Sequence, residues 1–332
     1  SGVGILVAGG AETASGAPSS TVDVFDVYQQ DWVKTTPAMP APRAGAVALS
    51  CGAECVLVAL GRQDAPAKKP GALATTMLRF YAGTWLAFDD GLPVSQRRGE
   101  ASAVTLHDGT SLIVGGVDAS GVAQASFLQF FPGTQLSDPS LKVLTPPAQA
   151  PRVAPALALS GANLVIAGGQ ADGAPAVEVF HLGAMSSTAL VLGAGPTPRR
   201  GSALVALGNG RVALLGGEDA SGALLADGWL IDPVAQTATH VAHALKVPRR
   251  GHTATLIGET IVVIGGETAG GEAHDAEILA RDTLASVRTT PMATPRTGHV
   301  AWSYAPGAIL VVGGEASGRA VDRLGLYETL AR

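Results

Sequence analysis

The chain has 332 residues, 47% hydrophobic and 15% charged, with a net charge of −5. This supports a large apolar core and excludes a disordered chain and a general nucleic-acid binder, which needs a basic footprint. No stretch approaches the roughly eighteen uninterrupted apolar residues of a membrane-spanning helix.

Taken in order, the sequence repeats. The first repeat, residues 1–42, has an apolar strand ending at Gly10, a turn at "AETASG", the alternating run Thr21–Val27 and a segment around Trp32. The second, 43–97, turns between two cysteines, runs "VLVALG" to Gly61, and continues through "MLRFYAGTWLAF". Repeats at 98–151, 152–199, 200–249, 250–295 and 296–332 follow the same plan, landing on Gly116, Gly169, Gly217, Gly266 and Gly314. Steps between these glycines are 51, 55, 53, 48, 49 and 48 residues, so the chain is a repeat array forming one domain.

Each complete repeat reads as four strands. The first and second are joined by tight turns such as "HDGT" and "LGNGR", a hairpin signal. The second is a continuous Val/Ile/Leu run, as burial on both faces demands. The third alternates, as in "VDVFDV", and the fourth is polar, as suits an exposed edge. Four antiparallel strands repeated radially make a β-propeller, all-β and here of seven blades. The end repeats lack strands, which predicts end blades that are incomplete and a natural chain that begins upstream of Ser1.

The pattern resembles the kelch repeat of the galactose oxidase-like superfamily. Carrying the resemblance are junction Arg43, the diglycine Gly115–Gly116, Phe25 and Asp26 in a third strand, Trp32 and Trp85, and the junctions "PRRGHTA" (Pro248–Ala254) and "PRTGHVA" (Pro295–Ala301). Repeat two departs, with Leu60–Gly61 in place of the diglycine. The resemblance implies a propeller that binds through one rim. It also implies a competing reading, since kelch propellers include sugar oxidases and sialic-acid-processing enzymes.

Six junction arginines, Arg43, Arg98, Arg152, Arg200, Arg250 and Arg296, recur at what look like equivalent positions and predict a basic collar on one rim. With Lys68 and Lys69 of the long repeat-two loop, they form the candidate binding surface. Arginine there could grip carboxylates or sulfates bidentately. The alternative is pairing with Glu12, Glu218, Glu267 and Glu315, the acids that follow the glycines, tying blades together.

His252 and His299 occupy matching slots in neighbouring repeats and fit a packing role better than a metal site, while His240 and His243, three apart on a strand, face opposite ways. The "ASG" serines lack the setting of a nucleophile, so no catalytic residue, metal or cofactor is expected. Cys51 and Cys55 flank a hairpin tip, where opposed positions permit a disulfide and thus an extracytoplasmic location. Most post-diglycine loops are short, which argues against an enzyme. The expectation is a non-catalytic protein- or glycan-recognition module, a monomeric domain of a larger exported chain. Its Ala/Gly/Pro/Arg richness suggests a bacterial source.

Overall fold

The computed structural model describes residues 4–328 apart from 13–15, 30, 34–35, 53–54, 65–70, 134–137, 146–147, 170–174, 193–194 and 322–324. The chain divides into two compact units, Ser1–Ala154 and Pro155–Arg332. Each is built from successive antiparallel sheets, one per sequence repeat.

In the first unit, repeat two forms a sheet of Val47–Ser50, Cys55–Ala59, Thr76–Tyr81 and Thr84–Asp89, in that spatial order. Repeat three follows with Ser102–Thr105, Ser111–Val114, Phe127–Phe131 and Ser140–Leu144. Repeat one supplies Gly4–Ala8, Val22–Asp26 and Asp31–Trp32. In the second unit, repeats four, five and six each give four strands and repeat seven gives three, Val300–Ala305, Ala308–Val312 and Gly325–Glu328. These are propeller blades of the expected four-stranded antiparallel kind. The count is six rather than the seven expected: among the described residues five sheets have four strands, and the three-stranded sheets of repeats one and seven do not each complete a blade. The shortfall lies in repeats one and seven, which lack a partner strand among the described residues.

Burial follows the sequence pattern. The second strand is enclosed throughout in repeats three, five and six, as in Ser111–Val114 and Ile261–Ile264. The fourth is exposed along most of its length, as in Thr84–Asp89 and Ser286–Pro291. Cores form between adjacent sheets within a unit. Val205, Leu215 and Leu230 of repeat five pack with Ile261, Val263 and Leu279 of repeat six, and Leu57 and Met77 of repeat two pack with Ile113 and Phe130 of repeat three. Each such side chain contributes about 1.5–3 kcal/mol when fully buried, so these seams hold the blades together.

The diglycine is a backbone joint. Its second N–H donates to the carbonyl of the buried arginine at the next junction: Gly10 to Arg43, Gly61 to Arg98, Gly116 to Arg152, Gly169 to Arg199, Gly217 to Arg249 and Gly266 to Arg296, all at 2.8–2.9 Å. Its first glycine has positive φ and lies under the same carbonyl. A Cβ at Gly216 would stand 2.9 Å from the Arg249 oxygen. Only a residue without a side chain allows that approach at that φ without strain. Leu60 holds the equivalent place in repeat two at φ 64, with its side chain sunk in the seam between repeats two and three.

Candidate functional site

The junctions hold two kinds of arginine where the sequence suggested one. Arg43, Arg98, Arg152, Arg199, Arg249 and Arg296 are all at most 2% exposed. Two residues after each stands a backbone of positive φ, at Gly45, Glu100, Ala154, Gly201, Gly251 and Gly298. That turn fixes the register. Arg43, Arg98, Arg152 and Arg296 are therefore inside the protein and form no collar, because their guanidinium groups point into the sheet joint. Arg200 and Arg250 are not their equivalents but sit one residue further on.

Each buried guanidinium closes its own sheet. Arg98 donates from Nε to the Gln96 carbonyl at 2.9 Å, and from its terminal nitrogens to the carbonyls of Gly115 and Ser126 and the Ser126 hydroxyl. Arg199 repeats the scheme with Thr197, Gly216 and Asp227, whose carboxylate it meets at 2.8 Å. Arg249 reaches Val247, Gly265 and the buried Glu277, the last at 2.5 Å. Arg43 reaches Pro42 and Thr76. Burial lowers Arg43 and Arg98 to about 10, so both remain charged at neutral pH. Asp227, although burial pushes it up, is held below the ordinary carboxylate range by Arg199.

The following residue is buried at Ala44 and Gly99 and at least partly exposed at Arg200, Arg250 and Thr297. It pairs through the backbone with the residue just after the diglycine: Ala44 with Arg62, Gly99 with Val117, Arg200 with Glu218, Arg250 with Glu267 and Thr297 with Glu315. Arg250 bonds both Glu218 of repeat five and Glu267 of repeat six, the latter at 2.7 Å. The Glu267 hydrogen bond, then the two carboxylate charges, raise it above the usual arginine range. Arg200 is exposed and makes no ion pair among the described residues. Glu315 and Glu12 are exposed, but Glu12 lies one residue further along than the other acids. Pairing across sheets is thus real at Arg250 and does not extend to Arg200. Lys68 and Lys69 lie outside the described residues.

His252 and His299 are buried, each ring against the first glycine of the preceding repeat; a Cβ at Gly216 or Gly265 would meet its Cε1. His240 stacks on Trp229 at 4.4 Å and stands 3.5 Å from Asp227, with its side chain half exposed. Among the described residues no three His, Cys, Asp or Glu side chains gather as a metal site. Cys51 and Cys55 are joined as a disulfide, with Cα atoms 5.1 Å apart. A depression beside repeat four is lined by Ala176, Val177, Leu190, Leu192, Gly195 and Pro196, none of them titratable.

Sequence reasoning missed Arg199 and Arg249 as the buried members of their pairs. A signal was present: five of the six buried arginines directly follow a proline. It also missed Arg62, 1% exposed and bonded to the Asp118 carbonyl at 3.3 Å, and the ion pair of Arg97 with buried Asp90.

A comparison with curated proteins finds no match. The KLHDC2/KLHL20/DRC7 Kelch-repeats domain matches residues 154–331, more than half of the chain and nearly all of the second unit. With buried junction arginines, diglycine joints and four-stranded antiparallel blades on the same repeat, the chain belongs to the kelch-repeat family.

Proposed function

We propose that the protein is a non-catalytic recognition module that binds a protein partner through the rim of its second unit. One observation carries this reading. Arg250 is consumed by Glu218 and Glu267, so the backbone-paired neighbour of Glu218, Arg200, is left exposed without an ion pair. A guanidinium beside a sheet joint, with no ion pair among the described residues, suits a carboxylate on a docking chain. Glu218, its backbone-paired neighbour, and Glu267, which shares Arg250 with Glu218, would repel partners whose charge is misplaced, which favours specificity. The disulfide at Cys51–Cys55 supports an exported protein, since such bonds persist in oxidising compartments.

The test is an array of acidic, basic and neutral 15-residue peptides together with a glycan array, probed with the wild-type chain and with Arg200→Glu and Arg43→Lys. Acidic peptides should bind, and Arg200→Glu should weaken them at least about ten-fold, the scale of one lost charge-assisted contact. Glycan binding alone, or peptide binding indifferent to Arg200→Glu, would overturn the proposal.

A further inference from the structure

His252 and His299 form a pair that neither the blade architecture nor the rim requires. At the same junction position the other repeats carry Ala46, Ala101, Pro155 and Ser202. The two rings sit in consecutive seams of the second unit. His252 lies between repeats five and six, with Gly216 on one side and Gly266 on the other. His299 lies between repeats six and seven, with Gly265 and Gly314 as its neighbours. Neither ring nitrogen of His252 has a well-formed hydrogen bond, and the Leu215 main chain offers only a weak one. His299 has a hydrogen bond between Nε2 and the Thr253 hydroxyl at 2.9 Å, and its Nδ1 has no partner among the described residues.

The charged groups facing these rings are of the wrong sign to hold a proton. Arg249 and, across the seam, His299 act on His252, while Arg296 acts on His299. The carboxylate at this joint, Glu277, is already bonded to Arg249 and to the N–H groups of Lys246 and Val247. We infer that His252 and His299 are an acid-sensitive latch: neutral rings close the seams of repeats five to seven, and protonation opens them.

The direction follows from linkage. Burial first, then Arg249 and His299, lowers His252 to about 3, and burial with Arg296 lowers His299 to about 4. Both folded values lie below the unfolded value of about 6.5, so the closed state keeps its full advantage above that pH and loses it as pH falls below it. At pH 5 each histidine favours the open state by about thirty-fold relative to neutral pH, and the pair by about a thousand-fold. The seam bonds from Gly217 to Arg249 and from Gly266 to Arg296 report the opening directly.

Amide hydrogen exchange at Gly217 and Gly266 in the full chain, for wild type and His252→Gln/His299→Gln, tests this. Comparison of the two proteins at each pH removes the intrinsic pH dependence of exchange. Between pH 7.5 and 5 the wild type should gain at least about a hundred-fold more opening than the double variant. Equal gains would overturn the latch. Should the variant fail to fold, carbon-13 histidine spectra of the wild type decide. Two rings that stay neutral until the seams open support the proposal, and two that titrate near 6.5 in the closed protein contradict it.

Discussion

The two units of the chain solve one mechanical problem with different residues. In the second, two buried junction arginines face carboxylates of the repeat that follows, Asp227 for Arg199 and Glu277 for Arg249. In the first, Arg43 and Arg98 are bonded to carbonyls, a threonine, a serine and a glutamine side chain. The diglycine is intact in repeats five, six and seven, whereas repeat two bends the same joint with Leu60. Residues after the joint are Glu218, Glu267 and Glu315 in the second unit, but Arg62 and Val117 in the first. What persists is the buried guanidinium and the carbonyl-to-glycine bond. The joint is therefore set by backbone geometry and one cation, and the surrounding charges are free to vary.

The comparison can be broken most sharply at the buried arginines. Arg249→Ala strands the Glu277 carboxylate in the seam and should cost about 3–5 kcal/mol in urea unfolding, the range for one partner removed from a buried pair. Arg43→Ala strands only neutral acceptors and should cost about 1–3 kcal/mol. Equal losses would mean that the carboxylates of the second unit matter little.

The glycine joint gives the next effect. Gly216→Ala places a Cβ against the Arg249 carbonyl and the His252 ring at positive φ, and should lose about 2–4 kcal/mol from backbone strain and overpacking. Leu60→Gly in the first unit relieves about 1 kcal/mol of strain but gives up a buried leucine worth about 1.5–3 kcal/mol. A net loss of about 1–2 kcal/mol is expected, measurable as a lower urea midpoint. A gain in stability would show that strain dominates at Leu60.

Smallest is the rim. Arg250→Ala removes a half-exposed bridge between repeats five and six, and exposed ion pairs contribute about 0.2–1 kcal/mol. Thermal unfolding should shift by no more than a few degrees, and high salt should shrink the difference.

Much of this was legible beforehand. Apolar runs before Gly116, Gly217 and Gly266 marked the buried second strands, and "HDGT" and "LGNGR" marked the hairpins, because both signals are local. The arginine register was not. Arg98 and Arg200 each precede a glycine, so counting back from glycine makes them equivalents. The turning residue in repeat three is Glu100, however, at φ 56, one place after that glycine. A non-glycine residue in the left-handed region carries no sequence signature. Nor could spacing reveal that Arg250 reaches two acids from different repeats while Arg200 reaches none, since that depends on side-chain direction across a seam.

The central claim is that one buried arginine holds each junction, while in the second unit its successor, as at Arg200 and Arg250, lies at least partly at the surface. Adjacent Arg199 and Arg200 test it within a single dipeptide. Replacing each by alanine in the full chain and measuring urea unfolding should give a loss of about 3 kcal/mol for Arg199→Ala, which removes the arginine partner of Asp227 and leaves it only the Trp229 indole N–H and the nearby His240. Arg200→Ala should change stability by less than about 0.5 kcal/mol. Equal losses at the two positions, or a larger loss at Arg200, would contradict the account.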